Sequence, residues 1–411
     1  MSSLSQKLKA LGVKVGAADL PKPQKDERAI ESVVRGENLA TPRGDAFIAD
    51  KIFAANYSHG ENAPLASSLS ARSAPLALLA EWANDPRIAQ LNLEQFAFLD
   101  TETSGMAGGT GTYAFLIGAA RFQNGEFRLR QFFLRDPSEE PALLEALQQF
   151  LAPCEALVTF NGKSFDAPLL RARYALHHIP VPFHTYAHLD LLPLARRLWR
   201  DRLPSRALKY LEEHVLRFTR ASEEVPGYEI PWLYFDYLRT QDARPLGGVF
   251  YHNAMDVAAM AALLNHISAA LHDPYGRIQH GLDFISLAKL FEDLKRFDEA
   301  ARLFERGLES ALSESDFEAA VKRLSSLQKK RGDLSQALHW WRQAARRGHL
   351  YAHIELAKYY EHQRRDIPAA VKWTQQAEEA LTRADLPAYI RNHWRAEIAH
   401  RAERLRRKAG V

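Results

Sequence analysis

Phe98-Leu99-Asp100-Thr101-Glu102-Thr103 closes an apolar run with two carboxylates one residue apart. In a strand, residues i and i+2 point to the same face, so Asp100 and Glu102 can converge on one cation. Acids at a strand end are common, and the residues downstream decide what this pair means. A third acid ends Asn161-Gly162-Lys163-Ser164-Phe165-Asp166, directly after the apolar run Ala156 to Phe160. Ligand sites gather at the carboxyl ends of strands in α/β sheets, so Asp166 can face the same crevice. Gly162-Lys163-Ser164 looks like the end of a phosphate loop, but Leu157 stands where that loop needs its first glycine. The fourth acid closes Tyr251-His252-Asn253-Ala254-Met255-Asp256, ahead of the apolar stretch Val257 to Leu271. Four residues apart on a helix, His252 and Asp256 share a face.

Around these motifs the pattern is mixed. Gln95 to Asp100, Tyr113 to Phe122 and Phe127 to Leu134 read as strands, the last two joined by the hairpin signal Asn124-Gly125. A helix from Pro141 to Leu151, a strand from Ala156 to Phe160 and a helix from Asp166 to His177 follow, which predicts a mixed α/β sheet. After His272-Asp273-Pro274 everything reads helical. Ala300 with Phe304, Ala337 with Trp341 and Ala369 with Trp373 align as a small residue followed four positions later by an aromatic one. Their spacing brackets the tetratricopeptide (TPR) period. The expected organisation is a tail over 1–45, a lead-in over 46–90, an α/β domain over 91–272 and a TPR-like helical domain over 275–411. The tail opens with Leu4, Lys7, Leu8 and Leu11 at helical spacing and continues in a charged, proline-containing segment expected to be flexible or to dock on a partner.

With 411 residues, 46% hydrophobic and 25% charged, the chain has the composition of two or three globular domains. A formal charge of +4 permits a polyanionic partner without requiring one. The single cysteine, Cys154, excludes an intramolecular disulfide and argues against a cysteine-based zinc site. No apolar run approaches the roughly 20 residues of a bilayer span and no signal peptide opens the chain, so the expectation is a cytoplasmic protein, free or nucleoid-associated, with no membrane partner.

The ordered motifs resemble those of the DEDD exonuclease superfamily, whose fold is RNase H-like. Asp100-Thr101-Glu102, Asn161 to Asp166 and a histidine shortly before Asp256 match its three motifs. Thr110 to Phe115, Asp190-Leu191-Leu192 and the helical C-terminal region are further similar to the YprB, or mitomycin repair factor B, group. The resemblance implies a 3′ to 5′ exonuclease using two Mg²⁺ or Mn²⁺ ions. Asp100 would bridge both ions, Glu102 and Asp256 would complete one site, and Asp166 would hold the second largely through water. The superfamily places its histidine five residues before the last acid and its tyrosine four before, whereas here Tyr251 stands at five and His252 at four. Helical geometry sets the i−4 residue about 40° from Asp256 and the i−5 residue about 140° away, which favours His252 as general base and keeps Tyr251 in reserve.

Substrate contacts are expected from Thr103, Asn161, Lys163, Phe165, Arg206 and Lys209, the last two ending a basic run that begins at Arg196. Asp190 is either an extra site acid or an orienter of local backbone. DNA with an accessible 3′ end is the substrate the resemblance implies, in a repair setting, with a helicase as partner of the TPR-like domain or of the tail. The alternatives are an exoribonuclease and a non-catalytic nucleic-acid-binding TPR scaffold.

Overall fold

The computed structural model describes residues 27–54, 56–61, 63–65, 73–105, 111–221 and 224–409. The helix expected at Leu4 to Leu11, most of the expected tail and the centre of the turn from Gly105 to Gly111 lie outside them. The chain forms two compact units. The first combines residues up to 65 with Leu91–Asp190 and Glu212–Leu263, and the second combines residues 73–90 with Leu191–Leu211 and residues 264–409.

The first unit is built on one seven-stranded sheet in the order β1-β2-β5-β4-β3-β6-β7. Its strands are β1 (Glu37–Thr41), β2 (Gly44–Phe53), β3 (Phe96–Thr103), β4 (Ala114–Gln123), β5 (Glu126–Phe133), β6 (Ala156–Thr159) and β7 (Ala187–Asp190). The first five strands in that order pair antiparallel, and β6 and β7 add parallel to β3. The β4–β5 hairpin turns on Asn124 and Gly125 at φ 52° and 80°, as an Asn-Gly turn requires. Parallel β6 and β7 need helical crossovers, supplied by Glu140–Leu151 and Asp166–Leu176. Helix and sheet bury Phe47, Phe115, Phe132, Phe133, Leu147 and Tyr174 in one core. Within it Phe115 stacks on Tyr234 at 4.0 Å, and the Tyr234 hydroxyl donates to the Leu134 carbonyl at 3.0 Å.

Two expectations from the sequence change here. Residues 37–53, assigned to tail and lead-in, are sheet strands, because Phe47 and Ile48 are buried opposite Phe133 and Phe132 of β5. The helix Gly247–His272 also carries a stretch apolar enough for a bilayer span, an 18-residue window of mean hydropathy 1.4 within residues 244–272, contrary to the expectation that none existed. That stretch is 78% buried inside the protein, as in a core helix. Cys154 is buried with its thiol pushed up to about 11 by desolvation, which suits the packing role expected of it.

The second unit is helical in its described residues. Three consecutive helix pairs, Gly281–Asp293 with Phe297–Leu308, Glu314–Lys330 with Leu334–Arg346, and Leu350–His362 with Ile367–Arg383, precede a last helix Ala388–Ala409. Ala300, Phe304, Ala337 and Trp341 are buried as the repeat pattern requires. The third repeat is shifted by one position: Ala370 and Thr374 are buried, and Ala369 and Trp373 are half-exposed. Arg401, Arg404 and Lys408 do not form a free basic face, because all three donate to the buried Glu361 at 3.2, 2.5 and 2.8 Å. Glu361→Ala strands Arg401 in the interior while the other two cations can turn to solvent. It is expected to cost about 2–3 kcal/mol, read as a lower melting temperature and earlier proteolysis in the last helix. An unchanged melt would contradict the hub.

Candidate active site

β3 carries the first two acids to the edge of the core. Phe96 to Leu99 are buried and Asp100 to Thr103 half-buried, so Asp100 and Glu102 emerge together where the strand leaves the apolar interior. A register shift against β4 at Glu102/Thr103 marks a bulge, a device that re-aims side chains beside sites. The loop after β6 delivers Asp166 as the first residue of the helix Asp166–Leu176. Thr101 Oγ1 donates to Asp166 Oδ1 at 2.5 Å, which ties the second motif to the strand of the first. Asp256 projects from the helix Gly247–His272.

The four carboxylates lie in one another's field. Burial, followed by repulsion from Asp256, Glu102 and Asp166, holds Asp100 well above the usual carboxylate range. Burial, then Asp256 and Asp166, pushes Glu102 up to about 8 against the pull of Arg220. Burial also raises Asp166, while its bond from Thr101 opposes the rise. Among the described residues no three His, Cys, Asp or Glu side chains stand as a finished metal cage. The acid oxygens are instead held by neighbours: Asn253 on Asp100, Thr101 on Asp166 and Arg220 on Asp256. The donor set nevertheless fits a hard divalent cation, since it offers only carboxylate oxygens whose mutual repulsion positive charge would relieve.

A buried relay that the sequence did not reveal orients Asp100. Gln131 Nε2 donates to Asn253 Oδ1 at 2.9 Å and to the Phe250 carbonyl at 2.8 Å. The Asn253 oxygen is thereby committed, and its Nδ2 donates to Asp100 Oδ2 at 3.0 Å. Gly118, cross-strand from both Asp100 and Gln131, makes room for this amide: a Cβ there would fall 2.2 Å from Asn253 Oδ1. Gly118→Ala is therefore expected to lower stability by about 1–3 kcal/mol and to reduce activity through Asp100. A thermal melt and a nuclease assay check this, and wild-type values in both would refute the relay.

The remaining expected residues divide clearly. His252 Nε2 is 3.6 Å from Asp256 Oδ2 and its Nδ1 is 3.5 Å from Glu224 Oε1. Tyr251 Oη accepts the Ala221 N–H at 2.9 Å and so anchors the segment that carries Arg220 and Glu224. Asp190 accepts from the backbone N–H groups of Asn161 and Lys163 at 2.8 and 3.1 Å, so it orients the second-motif loop. Asn161 itself is left-handed at φ 70°. Phe165 is 61% exposed beside Asp166, and Lys163 is also exposed. Thr103 Oγ1 turns to the Gly105 carbonyl at 3.1 Å.

Several side chains of the basic run have internal partners. Arg197 meets Asp293 and the Lys289 carbonyl, Arg202 meets Asp283 at 2.7 Å, and Arg206 Nη1 donates to the Leu203 and Pro204 carbonyls at 3.0 Å each. These contacts lie within the second unit, to which Lys209 also belongs. Internal acids and carbonyls thus take up side chains that the sequence presents simply as positive charge.

A family profile described as RNase_H superfamily matches residues 97–268, the span that carries all four acids and His252. The uncharacterized protein YprB of Bacillus subtilis (strain 168) is 34% identical over 325 residues, covering 77% of this chain and 76% of that protein. This chain belongs to the YprB family. Its family domain is RNase H-like and nuclease-like, and the match reaches beyond that domain because 77% of the chain exceeds the span of the superfamily profile.

Proposed function

We propose that this YprB-family protein is a divalent-cation-dependent 3′ to 5′ exonuclease acting on single-stranded or frayed DNA ends, in DNA repair. The observation that carries the reading is the convergence of Asp100, Glu102, Asp166 and Asp256, whose repulsion calls for positive charge. These residues would hold Mg²⁺ or Mn²⁺. Bound there, the cations would supply a hydroxide nucleophile and charge for the leaving oxygen.

His252 Nε2, on the side facing Asp256, accepts the proton of the attacking water. Glu224 beside Nδ1 balances the imidazolium that results. Asn253 keeps Asp100 in place through the Gln131 relay, and Asp190 holds the loop that presents Asp166.

Exposed aromatic rings support a strand substrate. Phe165 flanks Asp166, Trp232 and Phe235 lie on the exposed side of the helix Ile230–Thr240, opposite buried Ile230, Tyr234 and Tyr237, and Tyr228 is exposed in the turn before it. A Cβ on Gly227 would sit 4.0 Å from His252 Cε1, so this aromatic face begins beside the proposed base. Successive bases stack on such rings without sequence preference.

The test is a pair of 5′-labelled single strands, one DNA and one RNA, incubated with Mg²⁺, Mn²⁺ or chelator. The expected result is a cation-dependent ladder of shortened labelled DNA. Immediate release of the label as mononucleotide would reverse the polarity, preferential loss of the RNA would change the substrate, and two intact strands would favour a binding scaffold.

A further inference from the structure

Arg220 is a guanidinium buried among carboxylates, its side chain 2% exposed. Nε donates to Glu212 Oε2 at 2.6 Å, Nη1 to Glu224 Oε1 at 2.9 Å, and Nη2 to Asp256 Oδ1. It therefore binds the same acid that the proposed cation site requires.

The frame around Arg220 is rigid on both sides. Glu212, fully buried on a π-helical turn, is fixed by His59 Nε2 at 2.5 Å. His59 stacks on Phe218 at 3.9 Å and meets Tyr57 Oη through Nδ1 at 3.1 Å. The Leu216 carbonyl accepts the Glu61 N–H at 2.8 Å, and beyond Arg220 the Ala221 N–H is held by Tyr251. Glu212 is thus positioned to keep its grip on Arg220 whatever Asp256 does.

We propose that Arg220 is a built-in competitor for the cation position at Asp256, and that Glu212 and Glu224 retain the guanidinium when Asp256 turns to a cation. A guanidinium held by Asp256 alone could not release it without becoming a buried, unpaired charge. With two further carboxylates in contact, release leaves both partners compensated. Arg220 makes the Asp256 position the weaker and more readily exchanged of the cation positions, while Asp100, which among the described residues has no cationic side chain on its oxygens, keeps full strength. Arg220 acts through Asp256 and is a positioning residue.

This inference rests on reading the acids as a divalent-cation site. Its test is binding of Mn²⁺ alone to the full-length protein, followed by titration calorimetry. Arg220→Met, which keeps the stem and removes the charge, is expected to tighten Mn²⁺ binding about tenfold. Glu224→Gln, which leaves Arg220 more dependent on Asp256, is expected to weaken it about threefold. In an Asp256→Asn background each change should shrink below about twofold.

Unchanged or weaker binding in Arg220→Met, or the same tightening without Asp256, would overturn the inference. If Arg220→Met fails to fold, Glu224→Gln decides, and unchanged or tighter binding there overturns it equally. Failure of wild type to take up Mn²⁺ would overturn the cation-site reading itself, whereas uptake indifferent to Arg220 overturns only the role given to Arg220.

Discussion

Asp100→Asn should lower cation-dependent strand degradation by at least about a thousandfold while leaving the fold intact. Asp100 is the acid against which Asp256, Glu102 and Asp166 all act, and burial together with their repulsion disfavours its charged form. Removing its charge should therefore raise the melting temperature in chelator and shrink the stabilisation that Mn²⁺ confers on heating. The sign of the pH dependence follows from Glu102, whose folded value of about 8 lies above its ordinary 4.5. Its folded form binds the proton more tightly than its unfolded form, so its stabilising contribution is full below the unfolded value and is lost as pH rises through the folded one. In chelator, this contribution makes the melting temperature fall between about pH 4.5 and pH 8, and Glu102→Gln should flatten that fall. Calorimetric melts across the range check it. A wild-type curve no steeper than that of Glu102→Gln would contradict the charge cluster.

His252→Ala is expected to slow the single-turnover rate at saturating Mn²⁺ by about 10²- to 10⁴-fold, the usual contribution of a positioned general base. Tyr251→Phe removes only an acceptor for the Ala221 N–H. It should cost about 1 kcal/mol of stability and change the rate by less than about threefold. The comparison matters because the two residues occupy each other's customary spacing before the last acid. A large loss confined to Tyr251→Phe would exchange their roles.

The parts of this site that could be read from the sequence are those governed by local periodicity. Asp100 and Glu102 share a face because a strand repeats every two residues, and His252 stands beside Asp256 because a helix nearly closes in four. The strand after which Asp166 appears was visible as an apolar run. What escaped depends on partners far apart in the chain. Asn253 stands in the His252-Asn253-x-x-Asp256 motif, but Gln131 and Gly118 are unremarkable in their own neighbourhoods, and the three meet only once β4, β5 and the Gly247–His272 helix are assembled. Arg220 lies in an irregular segment with no periodic pattern to give it a side.

The same reason explains what local pattern left open. Arg206 reads in the sequence simply as positive charge, and only the fold shows the carbonyls that its Nη1 meets. β1 was missed because the strand Glu37–Thr41 lies at the sheet edge with mostly exposed or half-exposed residues, which blurs any alternation, and β2 because its consecutive buried residues Ala46 to Ala49 do not alternate. In the third repeat, the alanine pair Ala369-Ala370 offers two equally small candidates, and packing selects the second.

The most direct test of the claim that these four acids form a divalent-cation site is anomalous diffraction from crystals of the full-length protein equilibrated with Mn²⁺. The expected result is anomalous density within roughly 2.0–2.3 Å of carboxylate oxygens of Asp100 together with Glu102 and Asp256, and a second feature on the Asp166 side of Asp100. Saturating Mn²⁺ that leaves these carboxylates without anomalous density, with Arg220 still on Asp256, would contradict it.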